Sequence, residues 1–118
     1  MAMNKYLLAV IVAAAGVTAL PAGAAQRGDP VKGAQVAKTV CAACHGETGS
    51  TNNPQFPKLA GQYPDYMVQA MRAYQTGARN NAVMKGIVAG LSLADMENVA
   101  AYYARQPSDL YTPSVLSR

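Results

Sequence analysis

Tryptophan is absent from this 118-residue chain, phenylalanine and histidine occur once each, as Phe56 and His45, and cysteine occurs twice, as Cys41 and Cys44. Each shortage excludes something. A structural zinc site takes four ligands, usually Cys and His, and three such side chains cannot close one. With one histidine, no metal here can sit between two imidazoles. Lysine and arginine never gather into a run, which argues against a nucleic-acid footprint and for a solvated mixed surface. Hydrophobic runs are short too: the longest, Tyr6 to Leu20, has 15 residues, fewer than the about 20 that span a membrane comfortably.

That run follows a short start with one lysine, Lys5, and precedes the small residues Pro21-Ala22-Gly23-Ala24-Ala25. The pattern reads as an export signal over residues 1–24, cleaved after Ala24 or Ala25, with an uncleaved anchor as the alternative. Residues 25–118 then form a single domain with a loose tail from 107. Removing Lys5 leaves nine basic against six acidic side chains, or +3, so the sequence pI of 9.2 overstates how basic the mature chain is. That domain has one Phe and six Tyr to build a core. A core so thin in a chain of this size calls for an added staple.

Cys41-Ala42-Ala43-Cys44-His45 supplies one: C-x-x-C-H is the attachment sequence of a c-type haem. Thiols at i and i+3 lie on one side of a helical turn, where both can add to the vinyl groups of one haem, and the next residue is a histidine able to ligate the iron. A thioredoxin-like C-x-x-C needs a βαβ setting, and no strand pattern lies nearby. A plain Cys41–Cys44 disulfide is chemically possible outside the cytoplasm but leaves the histidine unexplained. Export and haem attachment agree, because attachment happens outside the cytoplasm.

Helical signals surround the motif. Asp29 and Pro30 are an N-cap and a first helical residue, opening a helix that runs into Cys41, with Val36 and Val40 on one face and Gly33 where another helix comes close. Glu47 to Pro54 is a loop. A second helix starts near Pro64, carries Tyr66, Met67, Ala70, Met71 and Tyr74 on its apolar face, and stops at Gly77. Ala78 to Gly90 reads as a long loop. The last helix begins at Ser92 as N-cap, with Asp95 completing a capping box and Leu91 stapling against Met96, and Pro107 ends it.

The second iron ligand is open on residue type alone: Met, Lys, Tyr or none. Met67, Met71 and Met96 have packing positions on helices. Met84 stands in the loop that could swing over the haem.

In this order of features the chain resembles the class I cytochromes c, among them the small bacterial periplasmic ones and single domains of their two-haem relatives. The resemblance rests on Gly33 eight residues before Cys41, the C-x-x-C-H, the P-x-L-x-G of Pro57, Leu59 and Gly61, and a loop methionine before the L-S-x-x-D of Leu91 to Asp95. The run Tyr66-Met67, Met71, Tyr74, Gly77, Arg79 and Met84 looks like the periplasmic group, and the likeness extends from Asp29 to Arg105. It implies an all-α fold of three main helices and long loops round one covalent haem c. Cys41 and Cys44 would hold the haem, His45 and Met84 would ligate the iron, and the Pro57 carbonyl would accept from the free imidazole N–H. Gly33 would let the first helix cross the last beside Tyr102. Ala37 departs from the family, which commonly has an aromatic there, so the crossing must be filled differently.

The implied function is one-electron transport in the periplasm by a monomer that is not an enzyme. It would take electrons from a reductase or dehydrogenase and pass them to an oxidase or reductase, with no nucleic acid and no stable membrane insertion. The alternatives are a haem-bearing subunit of a dehydrogenase or oxidase complex, for which the apolar residues of the tail would matter, and a haem sensor with an open sixth position.

Overall fold

The computed structural model describes residues 27–110, and all regular structure among them is helical. The export signal, with its two cleavage sites, and the tail beyond Leu110 lie outside the described residues. In chain order the elements are α1 (Pro30–Val36), a π-helical turn (Ala37–Cys41), α2 (Ala42–His45), α3 (Pro64–Thr76), α4 (Ala82–Val88) and α5 (Leu93–Ala104). The first three run on from one another as a single rod.

Asp29 caps that rod as its sequence demands: its carboxylate accepts from the N–H groups of Val31 (2.9 Å) and Lys32 (3.4 Å), and Pro30 takes the position where a missing N–H costs nothing. The Asp29 N–H donates to Asn98 Oδ1 at 2.7 Å, which fastens the start of α1 to α5. The two helices cross at Gly33. A methyl group there would overlap the Asn98 carbonyl and stand 2.9 Å from Tyr102 Cβ, so glycine is what permits the approach.

Ala37, the departure from the family pattern, is 1 % exposed and shares the core with Met67, Val99, Ala100 and Tyr103. The missing aromatic bulk comes from α5: Tyr103 is 1 % exposed, while Tyr102, the expected partner of the crossing, is half-buried.

The rod is not a plain α-helix. Val36 and Val40 are separated by a change of helix type. The π-helical turn between them, with the Ala42 N–H reaching back to the Ala37 carbonyl, puts an extra residue into the turn and re-phases the rod beyond it. Val36 packs against the core, and Val40 lines the central cavity. Thr39 Oγ1, donating to the carbonyls of Gln35 (3.0 Å) and Val36 (3.3 Å), competes for the backbone acceptors at this point.

The stretch from Ala78 to Gly90 is not simply a loop either. Asn81 Oδ1 accepts from the Met84 N–H at 2.9 Å and caps α4, so Met84 sits on a fourth helix. Two glycines in and beside seven residues hid it, each costing about 1 kcal/mol of helix propensity.

The other helices follow their signals. Gly77, at φ +81°, closes α3 in the left-handed conformation, and the Ser92–Asp95 capping box opens α5 with both reciprocal bonds made. The segment between α2 and α3 is pinned to α5. The Gly61 N–H donates to the Tyr103 carbonyl (2.9 Å), and the hydroxyls of Tyr102 and Tyr103 donate to the carbonyls of Glu47 (3.0 Å) and Gly46 (3.2 Å).

Candidate haem site

Helices α2 to α5 and the segment before α3 enclose a cavity of about 410 Å³. Cys41, Cys44 and His45 line it together, so the π-helical turn and α2 present both thiols and the imidazole to one space. Neither thiol is in a disulfide, and each is half-buried. Burial pushes the Cys41 thiol up to about 11, which keeps it a protonated thiol at neutral pH.

His45 is 6 % exposed, and its Nδ1–H donates to the Pro57 carbonyl at 2.9 Å. A carbonyl can only accept, so this bond assigns the proton to Nδ1 and leaves Nε2 with its lone pair available to a metal. The Phe56 ring lies against the imidazole at 6.2 Å, tilted by 60°. Ring orientation is therefore settled from two sides by consecutive residues.

Three methionines border the cavity: Met67, Met71 and Met84. Met67 is buried in the core cluster and Met71 packs on it, whereas Met84 belongs to neither and is half-buried on α4. Met96 is 3 % exposed and away from the cavity. The packing roles expected for Met67, Met71 and Met96 hold, with the addition that two of them also face the site.

No Asp or Glu lines the cavity, and the walls are mainly apolar. Two cations stand at it. Lys58 is paired with Asp109 at 2.6 Å, which holds that carboxyl below its usual range. Arg79 lies 5.0 Å over the Tyr74 ring, and its hydrogen bond with Tyr66 raises its pKa further. An apolar slot with two thiols and an oriented imidazole on one segment, a thioether on another and the Arg79 cation at its border fits a planar haem with its two propionates.

Sequence reasoning missed the polar partners that hold the Met84 segment, Asn81 among them. The signal for Asn81 was available, since Asn is a preferred N-cap and stands three residues before the N–H it receives.

Residues 30–105 match the sequence profile described as Cytochrome c. The chain belongs to the cytochrome c family. It is 39% identical over 104 residues to cytochrome c4 of Pseudomonas aeruginosa, covering 88% of this chain and 49% of that one. It is 42% identical over 76 residues to the thiosulfate dehydrogenase electron acceptor of Thiomonas intermedia, covering 62% and 35%. The crystal structure of reduced recombinant cytochrome c4 from Pseudomonas stutzeri superposes with a TM-score of 0.63 at 35% identity, over 68% of this chain and 46% of that one. The chain thus spans about half the length of the cytochrome c4 relatives it matches. As a cytochrome c with a single C-x-x-C-H, it carries one haem c attachment site, at Cys41, Cys44 and His45.

Proposed function

We propose that this cytochrome c domain is a periplasmic one-electron carrier whose covalent haem c is ligated by His45 and Met84. The observation that carries the reading is the cavity: His45, with Nδ1 committed to Pro57, presents Nε2 to the same space that Met84 borders, and Met84 alone of the three bordering methionines is not engaged in the core. Pro57 then acts through His45, holding its tautomer and making the ring a better donor to iron.

When bound, the haem would supply the redox couple; Cys41 and Cys44 would anchor it, His45 and Met84 would ligate its iron, and the chain would give it a water-poor wall. A thioether ligand raises the potential relative to an oxygen or nitrogen donor, as suits a carrier between a dehydrogenase or reductase and a terminal oxidase or reductase. A dehydrogenase is the donor class named for the Thiomonas intermedia relative. With His45 and Met84 both on the iron no place would be left for a substrate, which suits a carrier rather than an enzyme. Among the described residues no helix is long and apolar enough to cross a membrane. The signal-like residues 1–24 support export to the periplasm.

The test is the reduced holoprotein exposed to carbon monoxide. It should resist binding, and Met84→Ala should bind readily. A parent that binds at once would make the open-site sensor the better reading.

A further inference from the structure

Helix α4 is held by few groups. Ala82, Lys85 and Gly86 are exposed, Val83, Met84 and Ile87 border the cavity, Val88 is its one buried residue, and a side chain at Gly86 or Gly90 would meet nothing within 4 Å. Seven residues are far too few for a helix to persist on its own in water. Two polar devices bracket Met84. Before it stands the Asn81 cap. Behind it, Gln75 in the last turn of α3 donates through Nε2 to the carbonyls of Val88 (2.7 Å) and Leu91 (2.9 Å). Both partners only accept, so the amide can face them in one orientation. Val88 ends α4, and its carbonyl also accepts from the Leu91 N–H at 3.1 Å, so Gln75 ties together the helix end and the turn that leads to α5. Gln75 does not line the cavity.

We propose that Gln75 is a positioning residue for the Met84 ligand, a clamp whose hydrogen bonds to Val88, at the end of α4, and to Leu91 just beyond it set how readily Met84 leaves the iron. The inference rests on the reading of Met84 as the axial ligand. Short segments with few buried contacts open locally, and their opening equilibrium is governed by the bonds that opening breaks. Here the bonds to Val88 and Leu91 are side-chain bonds that join this segment to another helix, whereas the Asn81 cap is local. Losing both, with water replacing part of each, should make opening about tenfold more favourable.

The experiment uses the holoprotein and its Gln75→Leu and Gln75→Lys variants. Two readouts follow Met84 directly: the rate of carbon monoxide uptake by the reduced form, which is gated by Met84 departure, and the pH at which the oxidised form loses its thioether-to-iron charge-transfer band. Gln75→Leu should take up carbon monoxide about tenfold faster and lose the band at lower pH. Gln75→Lys, which keeps a donor within the same turn, should stay close to the parent. A purely structural role would lower the denaturation midpoint without touching either readout, and that result overturns the clamp. So does a Gln75→Lys protein as fast as Gln75→Leu. A parent without the band overturns the Met84 reading itself and the clamp with it, whereas a parent with the band and an unaltered Gln75→Leu overturns the clamp alone. Should Gln75→Leu fail to mature, Gln75→Ser makes the same comparison.

Discussion

At the level of single residues, what distinguishes the methionines is what else each side chain is doing. Met84→Ala removes a group that no core packing depends on, so the fold should survive on the two thioethers and His45 while the reduction potential falls, because the lost ligand favours the reduced iron. Redox titration of the variant against the parent checks the sign. Met96 is the opposite case: fully enclosed and off the cavity, its replacement by alanine should cost about 2 to 5 kcal/mol in urea unfolding and leave the visible spectrum as it was. The attachment residues were legible because C-x-x-C-H is a local arrangement, complete within five consecutive positions. The Pro57 carbonyl contact with His45 spans 12 positions and was legible only through resemblance; its 2.9 Å geometry required the folded chain.

At the level of elements, the α1–α5 crossing and the α5 cap make separate demands. Gly33→Ala would drive a methyl into the Asn98 carbonyl, and since backbone is the obstacle the two helices must move apart. A loss of about 3 kcal/mol or more is expected in denaturant unfolding. The Ser92 cap is exposed and local, so Ser92→Ala should cost only about 1 kcal/mol. Its partner Asp95 has a pKa lowered from 3.8, first by the Ser92 side chain and then by the Ser92 N–H. A carboxylate held below its unfolded value stabilises the fold at pH above that value, and the stabilisation fades as the pH falls through the lowered one. The stability gap between parent and Asp95→Asn should therefore be present at neutral pH and close in acid below about pH 4. Unfolding curves at both pH values decide it. Caps were readable in advance because each is written in three or four neighbouring residues; α4 and the π-helical turn were not, because one is stabilised by Gln75 from another helix and the other is a rearrangement of hydrogen bonds that leaves composition unchanged.

For the whole molecule, ten basic side chains stand against six acidic ones, nine against six in residues 25–118 alone, and two haem propionates would reduce the excess further, so little net charge is left to steer a partner from afar. Attraction must come from a local patch, and it is screened beyond about 8 Å at physiological salt. Electron exchange with a redox partner should accordingly slow only modestly between low and physiological ionic strength, measured by stopped flow; a fall of several decades would reveal a concentrated basic face. The same thinness of resources appears in the core. With one Phe and no Trp, the chain gathers small residues, Ala37 and Ala100, with Tyr103 in its core, and leaves a large apolar cavity for a cofactor to fill.

The sequence alone determined whatever depends on neighbours along the chain: the haem attachment motif, the Asp29 and Ser92 caps, the Gly77 stop, and the close approach demanded by Gly33. Tertiary structure decided what depends on neighbours in space. It put a π-helical turn between Val36 and Val40, buried Tyr103 fully and Tyr102 only in part, and turned the Met84 loop into a short helix closed at its far end by Gln75. The physical reason is the same each time. A cap or a motif is satisfied within one turn, whereas the face a residue presents, and the persistence of a seven-residue helix, depend on which element is packed against it.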